Sequence, residues 1–163
     1  MKKALSALTL GLLTSLSSFQ VMANQASDIS VSSSFAREVP PGAPASASFM
    51  TLTNSSGQVI KLVKADSKVA KATELHTHTN DNGVMRMRQV PFLTIPANGQ
   101  KELKPGGDHI MLINPHQPLK AGQTVSVQLQ FEDGSSKQVD MPVKSVMQDM
   151  SNMNHDKHHH HHH

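Results

Sequence analysis

Turn-forming residues recur along the whole body of this chain and divide it into short runs. Pro40-Pro41-Gly42, residues 54–57, Asp81-Asn82-Gly83, residues 96–99, Pro105-Gly106-Gly107, residues 114–118, Ala121-Gly122 and Asp133-Gly134 separate short runs rich in Val, Ile, Leu, Thr and Phe. Gly, Pro, Asn and Asp mark turns because each favours a backbone conformation that strands and helices avoid. The runs that remain predict strands over 29–39, 46–54, 59–65, 72–79, 84–90, 92–95, 100–103, 109–113, 124–131 and 137–143. Short strands at such spacing predict one all-β domain, a sandwich or barrel with Greek-key connections. The clearest alternation is Thr124-Val125-Ser126-Val127-Gln128-Leu129-Gln130-Phe131, which sends Val125, Val127, Leu129 and Phe131 to one face. Long helical periodicity is missing, and only 66–71 is expected to make a single helical turn. Asp81-Asn82-Gly83 predicts a tight hairpin between the strands on either side.

Four residues fall inside this frame in an unusual order: His76, ten residues, Met87, twenty-one residues, His109, one residue, Met111. Imidazole nitrogen and thioether sulfur are together the donor set of soft, monovalent copper. In Asp108-His109-Ile110-Met111-Leu112 a strand would project His109 and Met111 from one face and leave Ile110 and Leu112 for the core. The same parity groups Met85 with Met87, and His76 with His78. Three neighbouring strands could therefore bring soft donors to one point. Taken singly, a strand Met is usually a gap-filling core residue, and a lone His is usually a surface residue. It is the recurrence of both beside turn glycines that singles out this stretch.

Composition narrows the chemistry. Cysteine is absent, which excludes disulfide staples, CxxC redox chemistry and the thiolate that a blue-copper electron carrier requires. Residues 1–23 read as an export signal: Lys2 and Lys3 lead a mostly apolar run from Ala4 to Leu16, and Val21-Met22-Ala23 supplies a small-residue cleavage site. The run is too short to span a bilayer. Cleavage after Ala23 would leave an exported domain over 24–144, a tail over 145–157 and a purification-type histidine run over 158–163. Two of the 15 basic side chains, Lys2 and Lys3, lie in the signal, leaving 13 against 12 acidic. With no basic block or aromatic platform, neither nucleic acid nor membrane insertion is expected of the mature domain.

The spacing, with Glu74-Leu75-His76, Gly83-Val84-Met85-Arg86-Met87-Arg88 and Lys104-Pro105-Gly106-Gly107-Asp108-His109-Ile110-Met111-Leu112, resembles the periplasmic copper chaperones of the PCu(A)C family from about Ala45 to Val143. That resemblance implies a cupredoxin-like β-sandwich that holds one Cu(I) and hands it to respiratory oxidase assembly, with an oxidase subunit or its assembly factor as the acceptor. Carried over by motif position, the metal ligands are His76, Met87, His109 and Met111. Met85 and His78 do not occupy ligand positions and are near-site residues.

The implied mechanism is ligand exchange without catalysis, in which two thioethers and two imidazoles stabilise Cu(I) without the tighter hold of thiolates. Imidazoles of ordinary pKa imply an affinity that falls below about pH 6. In the tail, Met147, Met150 and Met153 followed by His155 and Asp156 suggest an unstructured end, a short helix docking its Met stripe on the sandwich, or an accessory copper site with Met sulfur for Cu(I) and the His-Asp pair suited to Cu(II). A monomer is expected. Two other readings compete: a periplasmic copper-buffering or resistance protein with no dedicated acceptor, and an exported β-sandwich interaction module that binds no metal. No paired carboxylates or Ser/His/Asp arrangement points to an enzyme.

Overall fold

The computed structural model describes residues 24–145, so the leading segment and the residues of the Met/His-rich tail lie outside the described part. Ten strands follow one short helix, α1 (Gln25–Asp28): β1 (Ile29–Arg37), β2 (Ala45–Asn54), β3 (Ile60–Asp66), β4 (Ala70–Asp81), β5 (Val84–Gln89), β6 (Leu93–Ile95), β7 (Gln100–Leu103), β8 (His109–Pro115), β9 (Thr124–Phe131) and β10 (Ser136–Lys144). All ten lie within a few residues of their expected positions. One expectation fails locally. Asp66 ends β3 and Ala70 begins β4, so only 67–69 lie between the strands and 66–71 makes no helical turn, while the helical turn that does form, α1, carries no periodic signal in its four residues.

The strands form one hydrogen-bonded path, β5-β4-β8-β2-β1-β10-β9-β3-β6, with β7 also pairing to β2. The path folds over at β1, which runs antiparallel to β2 and meets β10 in parallel at Ala36–Val143 and Arg37–Lys144. A register shift between Ser32 and Phe35, with Ser33 at φ 52°, lets β1 change neighbours. The two halves then enclose one core. Leu75, Ile110, Leu112, Met50 and Leu52 enter it from the first half, and Val125, Val127, Leu129, Phe131, Met141, Leu62 and Ile95 from the second. The expected alternation of β9 is what packs, with Val125, Val127, Leu129 and Phe131 all buried. This is the all-β architecture that the segmentation predicts and the cupredoxin-like fold that the family resemblance implies.

The β4–β5 hairpin is the part of the fold that bears on function. Asn82 at φ 53° and Gly83 at φ 86° form its two central residues, the pair of left-handed conformations that a two-residue turn matched to strand twist requires. The turn sets the register, pairing Asp81 with Val84 and therefore His78 with Met87 and His76 with Gln89. Met87 thus lies directly opposite His78, nine residues away, and His76 is its diagonal neighbour.

Candidate metal centre

Every donor sits on β5, β4 or β8. His76 pairs with His109 and Glu74 with Met111 across β4–β8, while His78 pairs with Met87 and Asn80 with Met85 across β4–β5. Side chains alternate along a strand, so Glu74, His76, His78, Met85, Met87, His109 and Met111 share one face. Leu75, Ile110 and Leu112 point the other way and are buried in the core. Core packing on one face therefore aims the donors at the other.

His109 is the best-determined group. Its Nδ1 lies 2.9 Å from the Gly107 carbonyl, and the same oxygen lies 3.0 Å from His78 Nδ1. A carbonyl only accepts, so both imidazoles carry their proton on Nδ1 and expose a bare lone pair at Nε2. That Nε2 of His109 is 3.2 Å from Met87 Sδ. Two acceptors thus face each other with no proton between them. Nitrogen and sulfur bound at the usual zinc distances to one tetrahedral ion stand roughly 3.5 Å apart, so the pair is spaced for a shared cation. The carbonyl is held in place by its own loop, where Gly107 N–H donates to Lys104 at 3.0 Å and Lys104 N–H to Asp108 at 2.9 Å.

His76 is set differently. Its Nε2 lies 2.7 Å from Glu74 Oε2, and a carboxylate accepts, so the proton is on Nε2 and the lone pair on Nδ1. That Nδ1 is buried without a hydrogen-bond partner. An unsatisfied buried polar atom costs about 1–3 kcal/mol, and bonding to a metal would remove the cost. A carboxylate behind the imidazole is also the usual way that a metal-ligating His is oriented. The His76 and His109 rings are 5.7 Å apart, and those of His78 and His109 5.3 Å.

Met87, His109, Met111 and His78 line one cleft of about 320 Å³, closed by Arg37, Ala47, Phe49, Pro105 and Gly106. His76 lies beside this cleft and is not part of its lining, whereas His78, read from sequence as near-site only, is part of it. Met85 is farther out, 56 % exposed. A larger cleft of about 450 Å³ around Lys68, His116 and Gln123 has one imidazole and no sulfur, so size does not select the site. Donor chemistry does. Among the described residues no group of three or more His, Asp or Glu is placed to hold a metal, and the further donors lining this cleft are the thioethers of Met87 and Met111.

Burial is graded across the cleft. His109 is only 4 % exposed, above the equally buried Phe49 at a ring separation of 6.3 Å, while Met87 is 46 % exposed. Burial holds the His109 imidazole below its ordinary 6.5, opposed by the Gly107 bond and reinforced by the positive charges that His76 and His78 would carry. A neutral His109 keeps its lone pair available for a metal. Glu74 is quoted in the sequence reading only as part of the Glu74-Leu75-His76 motif and is given no role there, although its place two before His76 on the same strand face signals one. The Gly107 carbonyl has no side-chain signal at all.

Fold and site together define a class: a β-sandwich with an imidazole–thioether cluster at one end of a sheet. The chain belongs to the family described as "Putative lipoprotein LpqE-like", whose pattern matches residues 29–143. It is 36 % identical over 128 residues to "Putative lipoprotein Lxx21020" of Leifsonia xyli subsp. xyli, covering 78 % of this chain and 76 % of that protein. The structure of Cu(I)-DR1885 from Deinococcus radiodurans is 42 % identical, covers 72 % of this chain and 80 % of its own, and superposes with a TM-score of 0.57. The copper-bound PCuAC domain from PmoF2 shares the fold at a TM-score of 0.61 and 18 % identity, over 72 % of this chain and 93 % of its own.

Proposed function

We propose that this protein is an exported copper carrier that holds one Cu(I) at the β4–β5–β8 face and releases it by ligand exchange. The observation that carries the reading is His109 Nε2 facing Met87 Sδ at 3.2 Å with its proton committed to Gly107. The ligand set is His76, Met87, His109 and Met111, with Glu74 orienting His76 and with His78 and Met85 beside them. The similarity to a protein solved with Cu(I) supports the metal and its oxidation state. The acceptor is an oxidase subunit of the Cu(A) type or its assembly factor, and transfer takes place in the periplasm after the leading segment is removed behind Ala23.

The geometry suits a carrier more than a store. A buried imidazole anchors the ion, and an exposed thioether gives an acceptor a ligand to displace. Competition of the chain against a chromogenic Cu(I) chelator, with X-ray absorption on the loaded form, tests the reading. One copper bound by two nitrogens and two sulfurs is expected. Absence of sulfur neighbours, or unchanged affinity after both His109→Ala and Met87→Ala, would remove it. Transfer to an acceptor no faster than spontaneous release would favour buffering over delivery.

A further inference from the structure

β5 gives the site an open flank. Among the described residues it ends the strand path, bonded to β4 alone, and each of its six residues is exposed. Val90 N–H donates to the Leu75 carbonyl at 2.9 Å, continuing the β4–β5 register. Main-chain groups alternate sides along an antiparallel strand, so those of Val84, Arg86 and Arg88 face β4. Those of Met85, Met87 and Gln89 face the open edge. Side chains sort with the same parity: Met85 and Met87 lie on the donor face, Arg86 and Arg88 on the reverse.

Proteins usually guard such an edge with charge, proline or a covering loop. Here Val84 is 54 %, Met85 56 % and Met87 46 % exposed. Arg86 and Arg88 share a single carboxylate, Asp81, at 3.5 and 2.6 Å, and remain 62 % and 58 % exposed. One carboxylate against two guanidiniums leaves the reverse face positive. A second copy pairing antiparallel through β5 would set arginine against arginine, and like charges opposite one another destabilise a pair of strands. An acidic strand is the complementary occupant.

We propose that β5 is a docking edge for an extended acidic segment of the acceptor, added as a further strand, with soft ligands on the Met87 face alternating with carboxylates opposite Arg86 and Arg88. This rests on the carrier reading. In the transfer step an acceptor sulfur bonds to Cu(I) as the bond from Met87 Sδ breaks. Copper stays monovalent, and if the incoming group is a thiol its proton goes to water.

The test uses the full chain, a peptide of alternating Asp and Met, and a control of alternating Lys and Met with the same number of thioethers. Binding of the Asp peptide to the copper-free chain should slow hydrogen exchange at Met85, Met87 and Gln89, and the Lys peptide should not. Arg86→Gln with Arg88→Gln should weaken Asp-peptide binding and slow copper transfer to it by roughly tenfold, leaving Cu(I) affinity against a chelator unchanged. The doubly Lys-substituted variant should retain both. Equal action of the two peptides, protection elsewhere in the chain, or protection of the same amides by self-association without peptide would each overturn the proposal. Because exchange is read without copper, protection by the Asp peptide in a chain that fails to bind Cu(I) would uphold the edge and sink the carrier reading instead.

Discussion

Two kinds of methionine are present, and their surroundings separate them. Met50 and Met141 are about 1 % exposed or less and fill the core, while Met87 and Met111 stand on the donor face. Met141→Ala is expected to cost about 2–5 kcal/mol of stability, the usual range for a large core truncation, with Cu(I) affinity unchanged. Met87→Leu keeps the bulk but removes the sulfur, so it should weaken Cu(I) binding with little effect on the denaturation midpoint. Urea unfolding and chelator competition on both variants check the contrast, and loss of affinity in Met141→Ala would undo it. Glu74→Gln tests the orienting carboxylate. It keeps the shape but no longer holds the proton on His76 Nε2 as strongly, and partners of this kind typically contribute about 10–100-fold in metal affinity.

At the scale of elements, the β4–β5 turn does more than connect strands, because it decides which His meets Met87. A β-branched residue at φ 86° is strained by roughly 1–2 kcal/mol. Gly83→Val should therefore destabilise the hairpin, and the loss should show in amide exchange on β5 before it shows in the core. Elsewhere, α1 is pinned to β9–β10 through Asp133, whose Oδ2 accepts from Gln25 N–H at 2.8 Å and whose Oδ1 accepts from Ser135 N–H at 2.9 Å. Desolvation raises the Asp133 pKa, but these bonds and the Ser135 hydroxyl together outweigh it and hold the carboxyl below 3.8. A depressed carboxyl stabilises the fold above its unfolded pKa, and the contribution is lost as pH falls through the folded value. Denaturant midpoints near pH 6 and pH 3 should therefore differ less in Asp133→Asn than in the unsubstituted chain. An equal difference would show that this carboxylate plays no part in acid stability.

For the whole molecule, copper stoichiometry divides the described domain from the tail that follows it. A chain ending at Lys144 should bind one Cu(I) with the affinity of the full chain once the histidine run is removed. A lower stoichiometry would place a ligand among Met147, Met150, Met153 and His155. Much of this architecture is legible in sequence because strands have a period of two and turns have a demanding chemistry. The alternation of β9 shows which side of it is core, and Asn82-Gly83 announces the hairpin. The same parity argument puts His109 and Met111 on the face away from Ile110 and Leu112. What that argument misses is how deeply His109 is covered, since burial on the donor face comes from Phe49, from the 105–107 loop and from Met87, each on a different segment.

Local pattern alone thus determined an all-β chain with its hydrophobic faces assigned and its soft donors clustered in sequence, because steric turn preferences and side-chain alternation act between near neighbours. Only the tertiary structure decided that His109 comes beside His76, that one carbonyl at Gly107 sets the protons of two imidazoles, and that β5 lies at an open edge among the described residues. Those facts depend on which strands pair and in what register. Pairing is settled by burying one shared core, a property of the whole chain that no single stretch contains.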